Sequence, residues 1–467
     1  MKHVRLFAVS GLMLILSAAA LAQAVPDSRG QIGLSFAPVV RQTAPAVVNI
    51  YTRRVVKAAA SPLLADPFFR RFFGDMVPHG MPQDRVQRSL GSGVVVAADG
   101  TVVTNHHVIK GADEVTVVLA DRREFEARVV GSDERSDLAV LKVEPPRGET
   151  LPVLPMGDSD ALEVGDLVIA IGNPFGVGQT VTSGIVSALA RTNVGITDFR
   201  SFIQTDAAIN PGNSGGALVD MGGRLIGINT AIYSKDGGSN GIGFAIPTSL
   251  VRSVLASITQ TGRVVRPWLG ASGQAVTGEL AQALKLPRPV GILINGVHRD
   301  GPAAKAGLKV GDVVSAVNGR EVDDPEGLRF RLATLAPGAE AILTVMRDGA
   351  EKRLTVRLTA PPETPPRDIT EIGGPNPVSG ATIANLSPAL AEEIGADGTA
   401  SGVVILRIRR GSVAHRLQLQ PGDIILRIND RPVAAVADAR RLLAGEARLW
   451  RVTISRDGET HTLQVGG

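Results

Sequence analysis

The first apolar block of the chain spans residues 6–16, with Lys2 and Arg5 before it and Ala20-Leu21-Ala22 and Ala22-Gln23-Ala24 after it. A basic start, an apolar stretch of this length and small residues at a cleavage position read as a secretory signal peptide over 1–24. The block is short for a ~30 Å hydrocarbon core, which argues against an uncleaved anchor. From residue 46 to about 258 the pattern changes to short β-rich runs broken by glycine turns, at 94–96, 115–119, 138–143, 167–171 and 225–228. No long helical periodicity separates them, so antiparallel barrels or a sandwich are expected rather than a parallel sheet. Between 57 and 89 the pattern fails, and Asp66-Pro67-Phe68-Phe69-Arg70-Arg71-Phe72-Phe73-Gly74 holds four of the twelve phenylalanines. A long structureless insertion of this kind inside a compact domain reads as functional or disordered. Its aromatic cluster suggests contact with another subunit, the alternative being a short helix folded onto its own domain.

The second half repeats itself. Gly301-Pro302-Ala303-Ala304, Gly311-Asp312-Val313-Val314 and Asn318-Gly319 recur as Gly411-Ser412-Val413-Ala414, Gly422-Asp423-Ile424-Ile425 and Asn429-Asp430. Each copy closes on an Arg-Asp-Gly hairpin signal, at 347–349 and 456–458. A period of about 110 residues is too long for a solenoid and marks a duplicated domain. Six prolines between 361 and 377 predict a stiff linker between the copies.

Composition narrows the chemistry. The 467 residues suffice for about three domains at roughly 150 residues each. With 44% hydrophobic and 20% charged residues, the chain can bury cores. Without Lys2 and Arg5 it carries 47 basic against 45 acidic residues, a net of +2 that specifies no partner. Aromatics are only 3% and are not interleaved with basic runs, which argues against nucleic-acid binding. The absence of cysteine removes disulfides, thiolate metal sites and a Cys nucleophile together. There is no metal, nucleotide or organic cofactor motif.

The strongest local signal is Asn210-Pro211-Gly212-Asn213-Ser214-Gly215-Gly216. A nucleophilic serine needs a base, and its developing oxyanion needs backbone N–H donors with no side chain in the way, which Gly212 and Ser214 would supply. Gly-x-Ser-x-Gly also fits the α/β-hydrolase elbow, but that fold puts its acid and histidine after the serine. Here the only later histidines, His298, His415 and His461, fall in the duplicated modules. Earlier in the chain stand Asn105-His106-His107-Val108 and Ser136-Asp137-Leu138. The order His, Asp, Ser suits the antiparallel pattern.

Together these motifs resemble the HtrA/DegP family of exported serine proteases. The resemblance rests on Thr104-Asn105-His106-His107-Val108, Asp133 to Ala139, Gln204 to Ala217, Gly91-Ser92-Gly93-Val94, Gly172-Asn173-Pro174-Phe175-Gly176 and Gly241 to Pro247, and it covers the whole chain. It implies a mostly β fold: a chymotrypsin-like double β-barrel protease domain at 34–262, with 57–89 as a regulatory loop. Two PDZ domains at 263–360 and 377–467 follow, built as β-sandwiches or barrels with short helices and joined by a linker at 361–376.

The catalytic residues it implies are His107, Asp137 and Ser214. His107 is selected over His106 by its place before Val108, and His106 is expected on the opposite face of a strand. Asp206 reads as structural. Ile209, Ile228 and Ile246 are expected to crowd the primary specificity pocket. Trp268, Leu269, Gly270 and Ala271 match the PDZ peptide-carboxylate loop. Its counterpart Val378-Ser379-Gly380-Ala381 has Ser379 in a usually apolar place, which leaves packing or assembly as open for the second module as peptide binding.

The implied function is ATP-independent degradation of unfolded exported proteins in the periplasm. The implied partners are unfolded chains, peptide C-termini and copies of itself in trimer-based assemblies, with no transmembrane span after signal cleavage. The alternative is a protein-binding chaperone or scaffold with little proteolysis.

Overall fold

The computed structural model describes residues 35–56, 85–146, 148–173, 178–191, 201–210, 212–232, 239–396, 399–456 and 458–466. The expected signal peptide and the phenylalanine cluster lie outside the described residues.

Two closed antiparallel barrels form the first half. Strands β1 (Val47–Val56), β2 (Arg85–Ala97), β3 (Thr101–Thr104), β4 (Glu114–Val118), β5 (Glu124–Asp133) and β6 (Leu138–Val143) close in the order β1-β2-β3-β6-β5-β4. Strands β7 (Leu167–Gly172), β8 (Thr180–Arg191), β9 (Phe202–Thr205), β10 (Ala217–Asp220), β11 (Leu225–Ile232) and β12 (Gly243–Pro247) close in the order β10-β11-β12-β9-β8-β7. Val48, Ile50, Val95, Val102 and Leu141 fill the first barrel, and Val168, Ala170, Ile203, Leu218 and Ile226 fill the second. Their neighbours on the opposite strand faces, among them Val94, Val103, Val140, Ile169 and Val219, meet between the barrels. Helix α1 (Ala37–Thr43), the short α2 (His106–Ile109) and α3 (Thr248–Thr261) complete this half, and α1 and α3 seal the inter-barrel core. Both strand faces are therefore buried, which is why the runs read as continuously apolar rather than alternating. Full burial of each such Val or Ile contributes roughly 1.5–3 kcal/mol.

The repeat becomes two sheets of like design. The first holds β13 (Ala271–Ala275), β14 (Ile292–Val297), β15 (Val313–Val317), β16 (Arg320–Glu321), β17 (Glu340–Arg347) and β18 (Ala350–Arg357), with α4 (Gly278–Ala283), α5 (Pro302–Lys305) and α6 (Pro325–Ala333). The second holds β19 (Thr370–Glu371), β20 (Ala381–Asn385), β21 (Val403–Ile408), β22 (Ile424–Ile428), β23 (Arg431–Pro432), β24 (Leu449–Arg456) and β25 (Glu459–Gly466), with α7 (Pro388–Ile394), α8 (Val413–Arg416) and α9 (Val436–Leu443). The repeated Gly-Asp and Arg-Asp-Gly motifs build equivalent ion pairs, each a partly exposed arginine on a buried aspartate. Arg347 Nε lies 2.6 Å from Asp312 Oδ1, and Arg456 Nε lies 2.6 Å from Asp423 Oδ1.

The end of the proline-rich segment is not linker. Thr370 and Glu371 pair with Ile383 and Thr382, and Ile372 is buried in the second module's core. Backbone pairing and apolar burial override the proline content there, and the module's sheet begins before residue 377.

Candidate active site

The seam between the barrels gathers the candidate residues. His107 stands on α2, which follows the buried Asn105 at the end of β3. His106 and His107 therefore diverge on a helical turn, not across a strand as expected, because the chain leaves β3 before reaching them. Adjacent helical residues are about 100° apart, so the two rings still separate. His106 Nδ1 lies 3.1 Å from Ser132 Oγ, whereas His107 Nδ1 lies 2.7 Å from Asp137 Oδ2 and 3.0 Å from Oδ1.

Asp137 enters β6 with φ +54°, a left-handed conformation that aims its carboxylate back at α2. Its main-chain carbonyl accepts from His106 N–H at 3.1 Å and from Asn105 Nδ2 at 2.9 Å, and its Oδ1 accepts from His107 N–H at 3.0 Å. Burial pushes the carboxyl up. The hydrogen bonds and charge of His107, with the Thr230 hydroxyl, outweigh burial and hold it below the ordinary carboxylate value.

Ser214 comes from the second barrel, on the loop between β9 and β10. Its Oγ donates to the Thr230 carbonyl at 3.1 Å, and its carbonyl accepts from Ser92 N–H at 2.8 Å. Ser92 ties this loop to the first barrel: its Oγ donates to Gly212 O at 2.7 Å and accepts from Asn173 N–H at 2.9 Å. Gly212 has φ +101° and Gly215 φ +83°. A Cβ on Gly215 would lie 2.0 Å from Ser92 O, so that position admits no side chain. No described residue accepts from the N–H of Gly212 or Ser214.

Thr230 escaped the sequence reading. Its hydroxyl donates to Asp137 Oδ2 at 2.6 Å, across the seam from β11. Nothing local to Asn229-Thr230-Ala231 signals this. Asp206 Oδ1 accepts from Ile185 N–H at 2.7 Å.

The three isoleucines do not share one pocket. Ile209 lies inside the second barrel, where it would meet a Cβ on Gly243 at 2.8 Å. Ile228 and Ile246, directly paired between β11 and β12, face the inter-barrel core instead. A register shift beside Ile226 puts Leu225 and Ile228 on the outer face, and period-two reasoning does not see such a bulge.

Trp268, Leu269, Gly270 and Ala271 line a cavity of about 270 Å³ between β13 and α6, with Ile292 and Leu328. Gly270 has φ +73° and its counterpart Gly380 +86°. The Leu269 carbonyl accepts from Ala303 N–H, and in the same position the Ser379 carbonyl accepts from Ala414 N–H. Both modules thus build the same loop on different side chains.

Two closed antiparallel barrels, with a histidine–aspartate pair on the first linked through Thr230 to a glycine-bounded serine on the second, have the architecture of the trypsin-like serine endopeptidases. The family model for the Trypsin-like peptidase domain matches residues 91–228, and PDZ domain models match 267–358 and 404–454. The Periplasmic serine endoprotease DegP of Escherichia coli (strain K12) is 37% identical over 447 residues, covering 91% of this chain and 90% of the relative. The Periplasmic pH-dependent serine endoprotease DegQ of the same organism is 37% identical over 469 residues, covering 98% of each. The solved HtrA-type protease AlgW with decapeptide is 48% identical, covers 70% of this chain and 99% of its own, and has a TM-score of 0.52. This chain belongs to the HtrA/DegP family of serine endoproteases and is a serine endopeptidase with two PDZ domains.

Proposed function

We propose that the chain hydrolyses peptide bonds of unfolded exported proteins through Ser214, His107 and Asp137, without ATP. The observation that carries this reading is the 2.7 Å contact of His107 Nδ1 with a buried carboxylate. That contact keeps the proton on Nδ1 and leaves the Nε2 lone pair as the base. Ser214 Oγ turns from the Thr230 carbonyl to His107, loses its proton and attacks the scissile carbonyl. The imidazolium, stabilised by Asp137, then protonates the leaving amine, and water hydrolyses the acyl-enzyme. The N–H groups of Gly212 and Ser214 receive the oxyanion, and losing one such donor costs roughly 3 kcal/mol, about 100-fold in rate.

The first PDZ module takes peptide C-termini by strand addition along β13, with the carboxylate held by N–H groups of the 268–271 loop. The relative AlgW was solved with a decapeptide, which supports this reading. Residues 1–24 direct export, the mature chain works in the periplasm as its named relatives do, and trimers joined through the protease domains are the unit of assembly. Among the described residues no helix is long and apolar enough to cross a membrane.

The test is cleavage of reduced casein by the mature chain and by Ser214→Ala. Loss of cleavage in the variant alone supports the nucleophile. Equal cleavage by both would overturn it.

A further inference from the structure

Three groups from outside the first PDZ module reach its peptide groove. Arg135, from the loop that leads into β6, lines the cavity together with Glu392 of α7 and Ala396 just beyond it. Arg135 Nη1 donates to Glu392 Oε1 at 2.9 Å and also to the Glu392 carbonyl. Further along the same segment, Thr399 Oγ1 lies 3.0 Å from Ser272 Oγ on β13. Ser272 pairs with Gly296 on β14, and a Cβ on Gly296 would stand 3.0 Å from that same Thr399 hydroxyl.

Strand β13 is an edge. Among the described residues it pairs only with β14, so its outer hydrogen-bonding row is where an incoming peptide adds as a strand. Ser272 and Gly273 of this edge line the cavity as well. Glu392, Ala396 and Thr399 of the second module therefore lie where the peptide has to run. They approach β13 at the groove through Glu392 and Ala396, and at the Ser272–Gly296 pair through Thr399.

We propose that the second PDZ module closes the peptide groove of the first within the same chain. The clasp is made by Glu392 on Arg135 and by Thr399 on Ser272, and a peptide C-terminus binds only when it opens. The inference rests on the reading of the first module as the peptide-binding one. Closure lowers apparent affinity by the fraction of time the groove is open, because the peptide binds only that fraction. The clasp also ends two residues from Asp137, so the closed second module holds the loop that carries this carboxylate.

A chain without cysteine permits a clean test. In full-length Ser214→Ala protein, Ser272→Cys and Thr399→Cys place two thiols where two hydroxyls lie 3.0 Å apart. Oxidation is followed by mass spectrometry. The probe is a fluorescein-labelled decapeptide ending in valine, compared with its C-terminally amidated form by anisotropy. Oxidised protein is expected to lose binding at least about tenfold, with recovery on reduction. Glu392→Arg, which sets like charges together, is expected to tighten binding by about tenfold.

Equal affinity of the oxidised, reduced and Glu392→Arg proteins would overturn the closure. Failure of the two cysteines to cross-link would overturn it too. If no form binds the peptide, Glu392→Arg included, the reading of the groove fails and the inference falls with it.

Discussion

The Thr230 hydroxyl donates to Asp137 Oδ2 at 2.6 Å, while the carbonyl of Thr230 accepts the Ser214 hydroxyl at 3.1 Å. One residue of the second barrel thereby orients the carboxylate of the first and parks the serine of its own. A buried carboxylate without donors is costly, and Thr230 supplies one to Asp137 from across the seam.

Thr230→Val removes that donor while keeping the shape. A hydrogen bond to a charged group contributes about 1.5–3 kcal/mol, so kcat/KM on a peptide substrate should fall by about 10- to 100-fold. Thr230→Ser should keep most of the activity. Equal loss in both variants would mean that the methyl group's packing, not the hydroxyl, matters.

Asp137 should leave a mark on acid stability. Its folded value is depressed, so the stability it contributes is present above the ordinary carboxylate value of about 3.9 and is lost as pH falls through the folded one. In a Ser214→Ala background, the Tm difference between Asp137 and Asp137→Asn proteins should hold from pH 7 to about 5 and shrink below about 4. A difference that grows on acidification would contradict the assigned direction.

Gly215→Ala should disable the site through the backbone. Its φ of +83° disfavours any side chain, and the new Cβ would lie 2.0 Å from Ser92 O. We expect a stability loss of about 2 kcal/mol or more and cleavage near background. Gly278→Ala, with nothing within 4 Å and a helical position, should stay within about 0.5 kcal/mol of the parent or gain slightly. Calorimetry of both variants makes the comparison.

Asp312 and Asp423 are buried while their arginines are only partly so, and removing either carboxylate leaves its arginine without the acceptors that anchor it. Asp423→Ala should therefore loosen the second PDZ module, because Arg456 loses both carboxylate oxygens that anchor it. Amide hydrogen exchange should accelerate in β22 and β24 while the barrel strands keep their protection. Asp312→Ala should do the same to the first module through Arg347.

Much of this protein is written locally along its chain. The duplicated Gly-Asp and Arg-Asp-Gly motifs announced two like modules, and they became two matching sheets with matching Asp–Arg pairs. The order of His107, Asp137 and Ser214 needed only the sequence, as did the antiparallel character of the first half, because turns and strand runs are short-range features. Tertiary structure decided the rest.

Thr230 meets Asp137 across 93 positions and Ser92 meets Gly212 across 120, separations over which no local pattern carries information. The bulge beside Ile226 turns Ile228 to the face opposite Ile226, which no local pattern announces. The turn after β3 puts two adjacent histidines on a helix, where their partners, Ser132 and Asp137, set them apart. Arg135 reaches Glu392 over 257 positions, a contact that exists only because separately folded units share a surface. Propensity, turns and repeats are properties of neighbours in the chain, whereas the site and its clasp are made of neighbours in space.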